Sequence, residues 1–452
     1  MTDMNRRAAL TATGLFGLAA ALPASAAPKT STAAAKAKLL APTPPMGWNS
    51  WNSFATTITE AQSLETAKIM ADKLLPSGYD IFTIDIQWYE PEAVSYTYNS
   101  NPVPSMDGYG RLIPAPNRFP SSANGSGFTA IAKQVHALGL RFGIHLMRGI
   151  PRLAVEKNLP VLGTQYRARD IADTSSTCPW NPDMYGVDMS KPGAQAYYNS
   201  VFSLYASWGV DFVKMDDMSR PYDAHAAEIE AAHKAIVATG RPIILSLSPG
   251  ETPVARHAHV AKYAEMWRIS DDFWDEWRLL DEQFTRLENW NEHRLPGRWP
   301  DADMLPLGRL ALGNRDTKFT PDEQQTLMTL WSIARSPLIM GGDLRHLDAP
   351  TLALLTNPEV LAVNQKSHDN KPWFVNDGMR IWTAKAENGD IYLALFNTTD
   401  KTKAVGLDLK YLGLKAVKVS DLWARKSLGT VTGRVSADLP AHGSALYRLA
   451  IA

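Results

Sequence analysis

The 452-residue chain has a single cysteine, Cys178, so it cannot form an intrachain disulfide. That residue is either a small buried hydrophobe or a bystander near a site, and with no partnered His it is not a candidate nucleophile. Charge bias is also missing. With 46 Lys+Arg against 46 Asp+Glu, net charge gives no support for a nucleic-acid or membrane-surface partner. No Gly-rich loop follows the first strand-like segment and no Gly-x-x-x-x-Gly-Lys motif occurs, which argues against dinucleotide and triphosphate folds. No His-x-x-x-His or similar spacing suggests zinc, and no metal or other cofactor is expected. The apolar stretch at 8–22 is too short, and too rich in Ala and Gly, for a good membrane span. No other membrane segment is found.

Residues 1–26 read as an export signal. Arg6-Arg7 precede that apolar stretch, and Ala24-Ser25-Ala26 suits cleavage. The paired arginines suggest twin-arginine export of a folded protein, periplasmic or extracellular, in keeping with a chain without disulfides. Residues 27–42, rich in Ala, Lys, Ser and Thr, read as a flexible leader.

From 43 to 365, strand-like and helix-like segments alternate. Strands are expected at 80–88, 140–147, 210–216, 242–248, 265–270 and 337–343, with weaker ones at 46–49 and 298–305. Helices are expected at 60–75, 128–138, 193–208, 224–239, 276–292 and 321–334. The alternation implies βα units, and about eight strand positions imply a closed (β/α)8 TIM barrel of the α/β class. After 366 the segments shorten, at 379–385, 390–397, 405–408, 416–421, 434–439 and 443–449, separated by turns such as Asn388-Gly389. Residues 366–452 therefore read as a small antiparallel C-terminal β-sandwich.

Polar residues cluster at the expected strand ends: Asp85, His145, Lys214, Asp216, Arg268, Asp271, Asp272, Asp301 and Asp303. In a barrel these ends meet at one mouth. Acids, one Lys, one Arg and several of the 14 Trp suit a carbohydrate better than a phosphate. Lys214 and Asp216 alternate onto one face of a strand, either as a structural ion pair or as part of a site. Glycosidic hydrolysis needs two carboxylates, one to protonate the leaving oxygen and one to attack or to activate water. Asp216 beside Lys214 suits the ionised role. Asp272, with Trp267, Phe273 and Trp274 near in sequence, is expected to be partly desolvated and so suits the acid. Asp271 or Asp275 is expected to cap the following helix. His145 is either a substrate contact or a satisfied core residue.

Together these residues resemble glycoside hydrolase family 27, the α-galactosidase and α-N-acetylgalactosaminidase family. The resemblance runs from about Pro44 to the C-terminus. It is carried by Pro45-Met46-Gly47-Trp48-Asn49-Ser50-Trp51-Asn52, Ile84-Asp85, Val213-Lys214-Met215-Asp216, Trp267-Arg268, Asp301-Ala302-Asp303-Met304-Leu305, Asp343-Leu344-Arg345 and Val363-Asn364-Gln365. It implies a retaining exo-glycosidase that removes terminal α-linked galactose. Asp216 falls on the nucleophile and Asp272 on the acid/base. Trp51, Asp85, Lys214, Arg268, Asp303 and Met304 fall on sugar-pocket positions, and His145 stands where the family usually has Tyr. Four further positions depart from the pattern. Ile86 replaces a second acid that binds the axial 4-hydroxyl of galactose. Ser248-Pro249 replace a Glu-Trp used for the 2-hydroxyl, and a Ser there resembles the N-acetylgalactosaminidase branch. Met218 replaces a Cys that would partner Cys178. Alternative sugars are N-acetylgalactosamine, glucose and β-L-arabinopyranose. A metal-dependent barrel lyase or epimerase is the alternative of another class, disfavoured by the cation Lys214 beside Asp216.

Overall fold

The computed structural model describes residues 39–451. The expected export signal and most of the expected leader lie outside the described residues. The end of that leader is part of the folded body. Ala41 is buried, and its carbonyl accepts the Trp299 indole N–H at 2.8 Å.

Among the described residues, eight strands pair in parallel: β1 (Met46–Asn49), β2 (Ile81–Ile84), β3 (Arg141–Met147), β4 (Phe212–Asp216), β5 (Ile244–Leu247), β6 (Met266–Arg268), β7 (Trp299–Asp301) and β8 (Leu338–Met340). Each of β1 to β7 lies beside the next, and β8 lies beside β1. The ring closes through Leu305, whose N–H donates to the Ile339 carbonyl at 2.7 Å and whose carbonyl accepts from Gly341 at 3.0 Å. Between the strands run α1 (Glu60–Lys73), α2 (Thr129–Ala137), α3 (Ala194–Trp208), α4 (Tyr222–Thr239), α5 (His257–Tyr263), α6 (Trp277–Trp290) and α7 (Pro321–Ala334). After β8 come α8 (Ala349–Thr356) and α9 (Pro358–Lys366). This is a (β/α)8 barrel.

Local chemistry sets where these elements stop. The Thr59 and Thr320 hydroxyls accept N–H groups three residues on, and Gln62 and Glu323 return the bond, so α1 and α7 start with a capping box. Strand β2 ends at Ile84 because the Asp85 side chain accepts the Ile86 N–H at 2.8 Å and Gln87 takes φ +62°. The expected 298–305 strand divides in two because Asp303 takes φ +87°. Gly47 is required by close packing: a Cβ there would lie 2.3 Å from the Ile81 carbonyl oxygen. Two long excursions rise from the barrel. One spans 85–128 after β2. The other, after β3, contains an antiparallel sheet of Ile150–Pro151, Ala172–Thr177 and Met184–Val187.

Beyond the barrel, β9 (His368–Asn376), β10 (Met379–Lys385), β11 (Ile391–Asn397), β12 (Lys403–Asp408), β13 (Ala416–Asp421), β14 (Lys426–Thr432), β15 (Arg434–Leu439) and β16 (Ser444–Ala450) form two antiparallel sheets. The larger runs β9-β10-β11-β16-β13-β14 and the smaller pairs β12 with β15. Alternation in β10 and β11 serves two cores. Ile381, Leu393 and Leu395 pack toward Val405 and Leu407 of the smaller sheet. Trp382, Ala394 and Phe396 join the barrel core, where Phe396 meets Phe284 of α6 at a ring distance of 4.9 Å. The sandwich is thus seated on the barrel through a buried apolar face.

Candidate active site

The C-terminal ends of β1 to β7 converge on one pocket, and its floor is made by β4. Val213 and Met215 are buried on the outer side, while Lys214 and Asp216 alternate into the barrel mouth. Lys214 Nζ lies 2.9 Å from Asp85 Oδ2 at the end of β2. The Asn49 amide donates to the same oxygen at 2.7 Å and the Ile86 N–H to the other at 2.8 Å. Burial pushes the Asp85 carboxyl up, but Lys214, His145 and these donors outweigh it and hold the group at about 2. Burial alone would lower the Lys214 ammonium. The carboxylates Asp216, Asp85 and Asp272 reverse that and hold it above its ordinary value.

Asp216 is the inward member of the acidic pair. Asp217 takes φ +63° and turns away into a buried ion pair, its Oδ2 2.8 Å from Arg148 Nη2. Arg148 also reaches Glu228 Oε1 at 2.7 Å, and the Tyr198 hydroxyl donates to the other Glu228 oxygen. Cys178 is buried nearby, and burial together with Asp217 pushes its thiol up to about 12. That state is no nucleophile.

On β6, buried Arg268 pairs with Asp303 at 2.8 Å and approaches Asp272 Oδ1 at 3.4 Å. The other Asp303 oxygen accepts the Phe273 N–H at 2.7 Å, which fixes the backbone next to Asp272. Burial pushes the Asp301 and Asp303 carboxyls up, with Arg268 opposing it for both. The desolvation expected for Asp272 is not found, since its side chain is 49% exposed at the pocket mouth. Its apolar neighbours in sequence pack on other rings: Trp267 on Trp290, Phe273 on Trp331 and Trp274 on Tyr96. The capping expectation also fails. Helix α6 starts after Glu276 without a side-chain cap, and buried Asp275 instead binds Arg315 at 2.5 and 2.9 Å. Asp271 pairs with Arg220 at 2.7 Å on the surface.

A cavity of about 220 Å³ is lined by Trp51, Asp85, Ile86, Tyr98, Trp180, Lys214, Asp216, Arg220, Pro249, Asp271 and Asp272. The Trp51 and Tyr98 rings are near parallel at 6.3 Å, and Trp180 lies against Tyr98 at 5.7 Å. Of the sequence-derived site residues, Trp51, Asp85, Lys214, Asp216 and Asp272 reach this cavity. His145, Ser248, Arg268 and Asp303 stand behind it, touching its carboxylates or their partners. Met304 is buried and does not line it. His145 Nε2 lies 2.8 Å from Asp216 Oδ2, and the Ser248 hydroxyl donates to Asp216 Oδ1. Tyr98 and Trp180 were not singled out in the sequence. Both arrive on the long excursions after β2 and β3, where no periodicity marks a wall residue.

A closed barrel with paired carboxylates, two cations and aromatic walls in one small pocket defines a carbohydrate-active hydrolase. Comparison with known proteins agrees. Residues 185–366 match the family model described as alpha galactosidase A, and 376–449 match that of the alpha galactosidase C-terminal beta sandwich domain. The crystal structure of a family 27 β-L-arabinopyranosidase from Geobacillus stearothermophilus superposes with a TM-score of 0.90 at 49% identity, over 91% of this chain and 97% of that one. A Bacillus halodurans protein provisionally named an α-N-acetylgalactosaminidase gives 0.81 at 46% identity, over 90% and 97%. The α-galactosidase of Coffea arabica is 29% identical over 90% of this chain and 93% of its own. The chain belongs to glycoside hydrolase family 27 and is a glycoside hydrolase.

The Lys214–Asp85 pair carries a testable consequence. With a folded value near 2 against about 3.9 unfolded, Asp85 contributes stability that is present above about pH 4 and lost as pH falls toward 2. Lys214→Met leaves a buried carboxylate without its cation, at a cost of about 3–5 kcal/mol near pH 7. That deficit should shrink as pH is lowered toward 4, because protonated Asp85 needs no cation. Urea unfolding of both proteins from pH 7 to 4 measures it, and a deficit independent of pH contradicts the pairing.

Proposed function

We propose that this enzyme removes a terminal sugar with a galactose-configured ring by double displacement, with net retention. Asp216 attacks the anomeric carbon while Asp272 gives its proton to the leaving oxygen. Asp272 then takes a proton from the water that releases the glycosyl ester. One observation carries this assignment. Of the four acids lining the pocket, Asp85 is held by Lys214 at 2.9 Å and Asp271 by Arg220 at 2.7 Å. Asp216 has no Lys or Arg salt bridge among the described residues, and Asp272 has only the longer 3.4 Å contact to Arg268, so these two are left to face a substrate, one deep on β4 and one at the mouth, where a leaving group departs. The Lys214 ammonium between Asp85 and Asp216 speaks against a divalent metal there.

Asp272→Ala should impair turnover of natural glycosides far more than of nitrophenyl glycosides, whose leaving groups need little protonation. Azide should then accelerate the nitrophenyl reaction and yield a glycosyl azide of retained configuration. A variant equal to wild type on both substrate types sinks the assignment.

Ile86 carries the choice of sugar. Its buried side chain lines the pocket beside Asp85, where a second acid would accept a sugar hydroxyl. α-D-Galactose and β-L-arabinopyranose share ring configuration from C1 to C4, and the pentose lacks the hydroxymethyl group. The axial 4-hydroxyl is common to both sugars and does not separate them. The extra hydroxymethyl group does, because an apolar wall gives its hydroxyl no acceptor. On this ground we favour β-L-arabinopyranosides over the α-D-galactosides suggested by relatives such as the Coffea arabica enzyme, in line with the 49% identical Geobacillus enzyme. Ser248 faces Asp216 and not the cavity, so it makes no seat for an N-acetyl group. Restoring the acceptor with Ile86→Asp should move the kcat/KM ratio toward α-galactoside by about ten- to hundredfold, from about 1–3 kcal/mol per buried hydroxyl. Nitrophenyl α-galactoside, α-glucoside and β-L-arabinopyranoside measure this. A ratio unchanged by Ile86→Asp removes Ile86 as the determinant.

We also infer export of the mature enzyme. Arg6-Arg7, the apolar stretch at 8–22 and Ala24-Ser25-Ala26 support it. Replacing both arginines with lysine should block export and leave the signal attached by mass spectrometry. Export unaffected by that change rules out the twin-arginine route.

A further inference from the structure

Two residues expected to contact the sugar converge on one carboxylate instead. The His145 ring is fully buried, with Nε2 2.8 Å from Asp216 Oδ2. The Ser248 hydroxyl donates to Asp216 Oδ1. Each Asp216 oxygen therefore has one side-chain donor. His145 sits on β3 and Ser248 just past the end of β5, the two strands that flank β4. His145 is level with Lys214 across the β3–β4 ladder, and the Ser248 N–H donates to the Met215 carbonyl at 2.9 Å. Trp88 Nε1 donates to the His145 carbonyl at 2.8 Å and fixes the backbone there.

The far side of the imidazole explains why a histidine is informative. Its Nδ1 is buried and has no hydrogen-bond partner. A buried polar atom without a partner is unfavourable, and an apolar side chain of similar size would avoid that cost. What the ring contributes therefore lies at Nε2. A carboxylate only accepts, so Nε2 carries the hydrogen.

We propose that His145 and Ser248 are positioning residues that clamp the Asp216 carboxylate, one donor per oxygen, and aim it at the anomeric carbon. The proposal rests on Asp216 being the nucleophile. Donors to the charged form favour ionisation and hold the carboxylate plane, which the attack geometry requires. When the Asp216 oxygen bonds to the anomeric carbon, the leaving oxygen departs with the Asp272 proton. The ester oxygens then carry less charge, and the two clamp bonds weaken. Water attack returns a full carboxylate to the clamp, which favours ester cleavage. Neither clamp residue gives up its proton. Lys214, Arg268, Asp217, Tyr98 and Cys178 are other charged or titratable groups acting on Asp216, and all of them stay in place in the variants below.

The test is steady-state kinetics over pH on a nitrophenyl glycoside for wild type, His145→Leu, His145→Gln and Ser248→Ala. His145→Leu should lower kcat about tenfold or more with little change in KM. The acidic limb of its kcat/KM profile should move toward higher pH, because the carboxylate has lost a donor to its charged form. His145→Gln, whose amide nitrogen reaches the Nε2 position, should recover most of both. Ser248→Ala should show the same signature. A raised KM at constant kcat means that His145 touches the sugar and overturns the clamp. Equal losses in the Leu and Gln variants with an unmoved acidic limb mean packing alone and also overturn it. If His145→Leu does not fold, Ser248→Ala and His145→Gln decide: an unchanged kcat and acidic limb in Ser248→Ala refutes the clamp. Labelling of wild type by a fluorinated activated glycoside keeps the two readings apart. A label on a carboxylate other than Asp216 removes the nucleophile assignment and the clamp with it, whereas a label on Asp216 together with wild-type kinetics in the variants removes the clamp alone.

Discussion

A half-buried ammonium group facing a fully buried carboxylate at the mouth of a barrel must be paired, and this requirement organises the site. Lys214 enters the interior because β4 alternates, and Asp85 meets it from β2 at 2.9 Å. Removing either partner leaves an uncompensated buried charge. The same rule holds on the other side of the pocket, where Arg268 at the end of β6 is buried and pairs with Asp303. The charged groups that face the cavity thus come largely from the even strands, β2, β4 and β6. The odd strands supply the groups that hold them. Asn49 of β1 serves Asp85, His145 of β3 and Ser248 after β5 serve Asp216, and Asp303 after β7 serves Arg268. Interior side chains of such a barrel stack in layers drawn from alternate strands, which explains why residues so far apart in sequence meet in this pattern.

Much of this was readable because buried parallel strands leave a strong trace. A short apolar run ending in an acid, as at Val213-Lys214-Met215-Asp216, marks both the strand and the end that faces the mouth. What was not readable has physical causes. The 298–305 segment is interrupted by a left-handed Asp303, a conformation that composition does not announce. Strand β14, Lys426–Thr432, is almost wholly exposed and so has no buried face to impose alternation. Strand β9 is an edge whose register to β10 shifts twice, with Pro372 between the shifts. Tyr98 and Trp180 reach the cavity on long excursions, where position depends on tertiary packing. The burial of Asp272 was misjudged because adjacency to Trp267, Phe273 and Trp274 says nothing about which way each side chain points. The three rings pack on Trp290, Trp331 and Tyr96, and the Asp272 side chain stays about half exposed.

The departures from the family pattern divide cleanly when set against the charge framework. Ile86 lines the cavity beside Asp85, while His145 and Ser248 sit behind Asp216. Ile86 makes no ion pair, so the Lys214–Asp85 and Arg268–Asp303 pairing does not depend on it. The specificity proposed for Ile86 is correspondingly separable from the chemistry. A wall residue acts through the cost of leaving one sugar hydroxyl unpaired, and a site built around such a bond rejects the analogue without it far more strongly than an apolar wall rejects an added hydroxyl. Ile86 makes this pocket the second kind. A sugar bearing an extra hydroxymethyl group is disfavoured there because its hydroxyl gives up water and finds no acceptor on the wall. Discrimination by this wall is therefore shallow in one direction, and an acid at the same position makes it steep in the other. The carboxylates that break the bond need not move for either outcome, and so one barrel can serve different terminal sugars without rebuilding its catalytic charges.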